Sequence, residues 1–269
     1  MRETIAGRAF RALLRGMPPG LRTRMLRPVL DAASEAEKFQ LGFPSMEGLL
    51  ASVRQNGFTP GGIVDIGANM GNWSRMARSV FPGVPIAMFD GNPLHESALD
   101  AAVLEVGKAS RTMTVLGPEP RENVVFYSIG AGSGVLPELT SFPREEQHLT
   151  MRTLDEAMGE SAIGRPLPSG LLMKLDVQGY ELEVLRGGAS TLAHAEFLIL
   201  ETSLLPYNEG GATFTDVLTF MNDAGFVSYD FCGQFRRRSD WALCQTDVAF
   251  VRRDSPLRGA KKFWANEPS

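Results

Sequence analysis

From residue 63 to residue 253, short apolar runs of strand length alternate with longer amphipathic runs, and few folds accommodate that order. Thr59-Pro60-Gly61-Gly62 is a break, after which IVDIG reads as a strand and WSRMARSVF as a helix that stops at Pro82-Gly83. PIAMFD is a second strand, ending at Asp90, and LHESALDAAVLEVG the next helix. NVVFYSIG is read as the third strand. A turn-rich stretch over 130–147 follows, and MRTLDEAMG adds a short strand and helix. LLMKLDVQGYELEVLRGG then supplies a fourth strand and its helix, AEFLILET a fifth strand, TFTDVLTFMNDAG a helix, and FVSYDFCG and TDVAFVRR two last strands. The expectation is an α/β fold with a seven-stranded, mostly parallel open sheet and helices on both faces.

Residues 1–60 read as a helical N-terminal extension, with Ser45 as N-cap of a helix beginning at Met46. Residues 61–255 form the main domain and 256–269 a C-terminal tail. Before Asp31 there are seven arginines (Arg2, Arg8, Arg11, Arg15, Arg22, Arg24 and Arg27) and a single acid, Glu3. A basic amphipathic helix there fits a peripheral contact with lipid headgroups, packing on a sister subunit in a homodimer, or a solvated extension.

Composition removes several classes. A net charge of -4 argues against a nucleic-acid binder. No apolar run approaches the ~20 residues of a transmembrane span. Cys232 and Cys244 have no metal-ligand spacing and read as free thiols of a cytoplasmic protein, with a disulfide as the alternative, and the start of the chain lacks the apolar stretch and cleavage site of a secretory signal.

In open α/β sheets ligands bind beyond the carboxyl ends of the strands. The first such turn here is Asp65-Ile66-Gly67-Ala68-Asn69-Met70-Gly71. Gly67 permits a sharp turn and close approach to a ligand, and Gly71 close packing where the helix begins. The spacing is not G-x-G-x-x-G, which counts against an NAD(P)-dependent oxidoreductase. An acid at Asp65 suits a positively charged ligand, and Asp90 closes the next strand where a carboxylate accepts both ribose hydroxyls. That pair points to S-adenosylmethionine; the alternative is that both acids only cap local structure.

The fourth strand carries Lys174 and Asp176 on one face. An unpaired buried ammonium is costly, so Lys174 is expected to pair with Asp176 or Glu201.

The order VDIGANMGNWS, FDGNP, TLDE, LLMKLDVQGYELEVLRGG and LILET resembles the FkbM-type methyltransferases from Gly62 to Arg253, most specifically in KLDVQGYELEVL. The resemblance implies a class I, Rossmann-like fold and S-adenosylmethionine-dependent methylation of a hydroxyl, on sugars of glycans or glycolipids or on natural products. Asp65, Gly67, Asn69, Gly71, Asp90, Asn92, Ser128 and Asp176 are the expected cofactor-binding residues. The chain departs from the family in having Asp90-Gly91 where a FEP-like glutamate is usual, so Asn92 is expected to assist the shorter acid.

An alcohol needs a general base or a metal ion to become a nucleophile. The expected catalytic residues are Asp176, Glu201, Lys174 and His148, with Asp176 and Glu201 acting as base or as Mg²⁺ ligands. Alternatively, Lys174 forms a buried pair with one of these acids that only holds strands together. His95 is expected on the cofactor side and His194 at the far end of the sheet. The FRRRSDW stretch fits either stacking of Trp241 on a sugar with the arginines on an acidic group, or a solvated hairpin tip. A non-catalytic homologue acting as a binding module is the remaining alternative.

Overall fold

A computed structural model of the chain describes Met17, Leu21 and residues 44–259. The arginine-rich segment, most of the 1–60 extension and most of the C-terminal tail lie outside the described residues.

The first described helix is α1 (Met46–Gln55), and Ser45 caps it, its hydroxyl accepting from the Gly48 N–H at 3.2 Å. The elements that follow are β1 (Ile63–Ile66), α2 (Asn72–Val80), β2 (Ile86–Asp90), α3 (Glu96–Val106), β3 (Ala109–Met113), β4 (Val115–Leu116), β5 (Arg121–Ser128) and β6 (Glu145–Arg152). After these come α4 (Leu154–Ala157), β7 (Leu171–Leu175), α5 (Glu181–Arg186), α6 (Ala189–Ala193), β8 (Ala195–Ser203), α7 (Phe214–Asp223), β9 (Phe226–Arg236) and β10 (Leu243–Arg252).

Seven strands form the main sheet in the order β3-β2-β1-β7-β8-β10-β9. β1, β2, β3, β7 and β8 are parallel, and β10 runs antiparallel between β8 and β9. Alternation along the buried strands splits the core in two. Val64, Phe89, Met173, Leu198 and Phe250 face α4 to α7, whereas Ile63, Met88, Leu172, Phe197 and Val251 face α1 to α3. This is the class I, Rossmann-like arrangement expected, with helices on both faces. α1 is part of it, since Leu49, Leu50 and Val53 are buried in the same cluster as Trp73 and Ala77 of α2.

One strand assignment is corrected. The third strand of the main sheet is β3, the run ASRTM, and not NVVFYSIG. NVVFYS lies in β5, in a separate three-stranded sheet of order β4-β6-β5. β3 is an edge strand whose five residues are all half-buried, so its composition carries little apolar signal. β6 also begins inside the stretch read as turns.

The small sheet sits against the carboxyl ends of β1 and β2, because the chain passes from β3 into it through Thr114, whose N–H donates to Asp90 O at 2.8 Å. Among the described residues no helix is long and apolar enough to cross a membrane.

Candidate active site

Beyond the carboxyl ends of β1, β2 and β7 lies a cleft of about 610 Å³ including the solvent at its mouth. Its apolar walls are Phe89, Val115, Leu116, Phe126 and Val177, and its polar lining includes Asn69, Asp90, His95, Ser133 and Asp176. The floor is the turn after β1. Gly67 has φ +72, and a Cβ there would stand 1.9 Å from the Asp176 carbonyl oxygen, so only glycine lets the turns after β1 and β7 touch.

Asp90 at the end of β2 organises one corner of this cleft. Its Oδ2 accepts from Asn69 N–H at 2.7 Å, and its Oδ1 accepts from Asn92 N–H at 2.7 Å and lies 3.2 Å from His95 Nδ1. A carboxylate has about four acceptor sites, so one remains on Oδ2. One acceptor position of Asp90 is therefore open toward the cleft. Asn92 does not line the cleft. It is buried, with Oδ1 accepting from Leu94 N–H at 3.1 Å and Nδ2 donating to Ser133 Oγ at 3.2 Å. Its role is to hold the loop around Asp90.

A row of charged side chains crosses one face of the sheet. Register places Asp65 of β1 beside Lys174 of β7, and Glu201 of β8 beside Asp247 of β10. Lys174 Nζ is 3.1 Å from Asp176 Oδ2 and 3.9 Å from Asp65 Oδ1, and it donates to Gly67 O at 3.4 Å. Its pairing with Asp176 matches expectation. The second partner is Asp65 on one neighbouring strand, not Glu201 on the other. Burial alone would lower the pKa of Lys174, but Asp176 and Asp65 outweigh it and hold the ammonium firmly charged.

Asp176 is the member of this row that lines the cleft. Gln178, in the left-handed region at φ 57, donates through Nε2 to Asp176 Oδ1 at 2.9 Å and to Glu201 Oε2 at 3.0 Å. Gln245 Nε2 adds a second donor to Glu201 Oε2 at 2.8 Å. Glu181 fixes the loop between, its Oε1 accepting from Val177 N–H at 2.9 Å and Gly179 N–H at 3.2 Å.

So many acids facing one lysine push each other's titrations up. Burial, then Asp176, raises Glu201 well above its usual range and Asp247 to about 6. Burial raises Glu181 to about 7 against the two loop amides that favour its charged form. Burial also raises Asp65, opposed by Lys174 and by the Ser74 hydroxyl, which donates to its Oδ2 at 2.7 Å. Such perturbed acids in a row beside a cleft are the usual company of a functional site.

The structure lends no support to the Mg²⁺ reading of Asp176 and Glu201. Among the described residues no group of three or more His, Cys, Asp or Glu side chains could hold a metal ion. Moreover, the Gln178 amide places a hydrogen-bond donor between these two carboxylates, where a cation would have to sit.

Other anticipated residues fall outside the cleft. Asp65 is fully buried behind the turn. Gly71, at φ +75, packs its backbone against α3, where a Cβ would meet Ala102 Cβ at 2.5 Å. Ser128 is buried at the end of β5 and accepts from Gln147 Nε2 at 3.1 Å. His148 is exposed on β6, paired across the small sheet with Val125, and is not part of the cleft lining. His194 does lie at the far end, its carbonyl accepting from Leu171 N–H at the start of β7.

Residues that sequence reasoning passed over are His95 as a partner of Asp90, the cleft walls Val115, Leu116 and Phe126, and the amides Gln178 and Gln245. For Gln245 and Asp247 a signal existed, since their alternation puts two polar residues on one face of an otherwise apolar strand. Cys232 and Cys244 are buried free thiols.

Residues 65–228 match the family model described as the methyltransferase FkbM domain. Among solved structures, a methyltransferase FkbM from Methylobacillus flagellatus KT is similar at 16% identity and a TM-score of 0.42, covering 70% of this chain and 43% of that one. This chain thus spans less than half the length of that protein. The magnesium protoporphyrin IX methyltransferase of Synechocystis PCC 6803 is similar at 14% identity and a TM-score of 0.42, covering 77% of this chain and 81% of that one. The precorrin-6y C5,15-methyltransferase of Geobacter metallireducens GS-15 gives 11% identity and a TM-score of 0.41, covering 76% and 86%. No curated protein matches significantly.

Proposed function

The chain belongs to the FkbM methyltransferase family, and from that premise we propose that it is a cytoplasmic, S-adenosylmethionine-dependent O-methyltransferase acting on a hydroxyl of a sugar, glycan or natural product. The observation that carries this reading is Asp176, a carboxylate at the wall of the cleft, clamped by Lys174 on one oxygen and Gln178 on the other. When bound, S-adenosylmethionine supplies an electrophilic methyl group on a sulfonium.

The cleft residues suit that molecule. Phe89, Val115, Leu116 and Phe126 would take the adenine, Asp90 a ribose hydroxyl, and Gly67 and Asn69 would border its remainder. Asp176 offers a fixed oxygen to an acceptor hydroxyl and receives its proton, and the clamp holds that oxygen in one orientation. Glu201 acts one residue further away, as the anchor for Gln178. Lys174 sets Asp176 without itself lining the cleft.

We take the catalytic domain to run from 46 to 255, since α1 is buried in its core, with the preceding residues as an extension and 256–269 as a tail. Free thiols accord with a reducing compartment.

The test is incubation with methyl-labelled S-adenosylmethionine and a panel of saccharide and polyketide alcohols, followed by alkali. Alkali-stable label, lost in Asp176→Asn while S-adenosylhomocysteine still binds, is expected for an ether product. Cofactor binding with no transfer to any alcohol would favour the binding-module reading, and alkali-labile label would point to a carboxylate acceptor.

A further inference from the structure

The FRRRSDW stretch plays no part in the reaction proposed above. It forms the β9–β10 hairpin tip, where every residue from 234 to 241 is exposed. Trp241 is 71% exposed and sits at φ +63, a left-handed conformation that is an outlier for a bulky side chain. Its backbone is held there, with its N–H donating to Arg237 O at 2.8 Å and its carbonyl accepting from Arg236 Nη1 at 3.1 Å. Strain maintained to keep an indole in water indicates that the indole has somewhere to go.

The tip is not alone. The Phe235 ring packs edge-on against Tyr207 at 6.0 Å, and the Tyr207 carbonyl accepts from Leu139 N–H at 2.8 Å. These contacts join the hairpin to the loops carrying Leu139, which is 57% exposed, Phe142, 69% exposed, and Leu204. Leu204 N–H in turn donates to Cys244 O at 2.7 Å, at the base of the same hairpin. Large apolar side chains therefore line three adjoining segments on one rim, an arrangement that marks an interaction surface.

The charge on this rim selects the partner. Arg236, Arg237 and Arg238 face a single acid, Asp240, which pairs with Arg237. Arg236 and Arg238 have no carboxylate partner among the described residues. Tryptophan and phenylalanine flanked by arginines suit the headgroup layer of a bilayer, where rings enter the interface and guanidinium groups meet anionic lipid. Aliphatic Leu139 and Leu204 have no use for a sugar face, but do gain from an acyl boundary.

We propose that the rim formed by Leu139, Phe142, Leu204, Phe235, Trp241 and Arg236–Arg238 docks the protein on an anionic lipid surface.

The test is co-sedimentation of the full chain with vesicles of phosphatidylcholine alone or mixed equally with phosphatidylglycerol, at low and high salt. Binding to the mixed vesicles, weakened by salt, is expected to fall at least about tenfold in Trp241→Ala/Phe142→Ala and separately in Arg236→Glu/Arg238→Glu. All four positions are exposed, so these variants should melt with the wild type. Reversing Arg8, Arg11 and Arg15 controls for the N-terminal arginines. Absence of binding to any vesicle overturns the proposal. So does binding that survives both hairpin variants, or that is lost only with the N-terminal arginines.

Discussion

Gln178 Nε2 donates to Glu201 Oε2 at 3.0 Å across 23 positions of sequence, and the same nitrogen donates to Asp176 Oδ1 at 2.9 Å. One amide thus ties the carboxylate that lines the cleft to a half-buried one on the neighbouring strand. An ammonium on the other side, Lys174, completes the clamp. Removing the amide should release Asp176 without unfolding the sheet. In Gln178→Leu, Glu201 loses one of its two amide donors, so its pKa should rise further. Carboxyl-carbon NMR titration reads this directly: an upward move for Glu201 is expected, while no movement would show that the bridge is not formed in solution.

Gly67→Ala tests the contact between the two turns. The added Cβ would overlap the Asp176 carbonyl oxygen at 1.9 Å, in a backbone region that alanine avoids. A loss of about 2–4 kcal/mol of stability is expected by denaturant unfolding, combined with loss of cofactor binding. A variant as stable as the wild type would mean the turns are further apart than described.

Asp65→Asn separates a structural acid from a ligand-binding one. Asp65 is fully buried, accepts from Ser74 and faces Lys174. Burial outweighs Lys174 in raising the Asp65 carboxyl, and Lys174 keeps Asp176 at 3.1 Å, so removing the charge should cost little stability, less than about 1 kcal/mol. Folded protein should still bind S-adenosylhomocysteine within about twofold, a spread of less than about 0.5 kcal/mol. Binding lost without a stability change would instead put Asp65 in contact with the cofactor.

Glu181 predicts a pH dependence. Its folded pKa of about 7 exceeds the ordinary 4.5 because burial penalises the charged form. Between those values the folded state holds a proton that the unfolded state has lost, so stability falls as pH rises through that window. The contribution is at most ~3 kcal/mol. Glu181→Gln keeps an acceptor for Val177 and Gly179 N–H but cannot ionise. Its melting temperature should gain on the wild type steadily from pH 5 to about pH 8. A constant difference across that range would contradict the assignment. Asp65, Glu201 and Asp247 act in the same direction, which is why the difference between proteins is the quantity to read.

The parts of this architecture that were legible beforehand are those written locally. The runs IVDI, IAMFD and LLMKL are buried along their whole length, and Ser45, Gly67 and Gly71 occupy positions whose backbone demands follow from neighbouring residues. β3 escaped because edge burial leaves ASRTM with no apolar pattern, and NVVFYS misled because strand propensity does not say which sheet a strand joins. The site divides the same way. Asp90 and Asp176 are strand-end acids, recognisable by position. The bonds of Glu201 to Gln178 and Gln245 span 23 and 44 positions, and such register cannot be read from either segment alone.

The most direct measurement is calorimetric titration of the wild type and Asp90→Ala with S-adenosylhomocysteine, without added metal. Asp90 organises Asn69, Asn92 and His95 around the cleft, so the account predicts micromolar binding by the wild type and at least about tenfold weaker binding by the variant, a loss of ~1.4 kcal/mol or more. No binding by the wild type, or equal binding by both proteins, would contradict it.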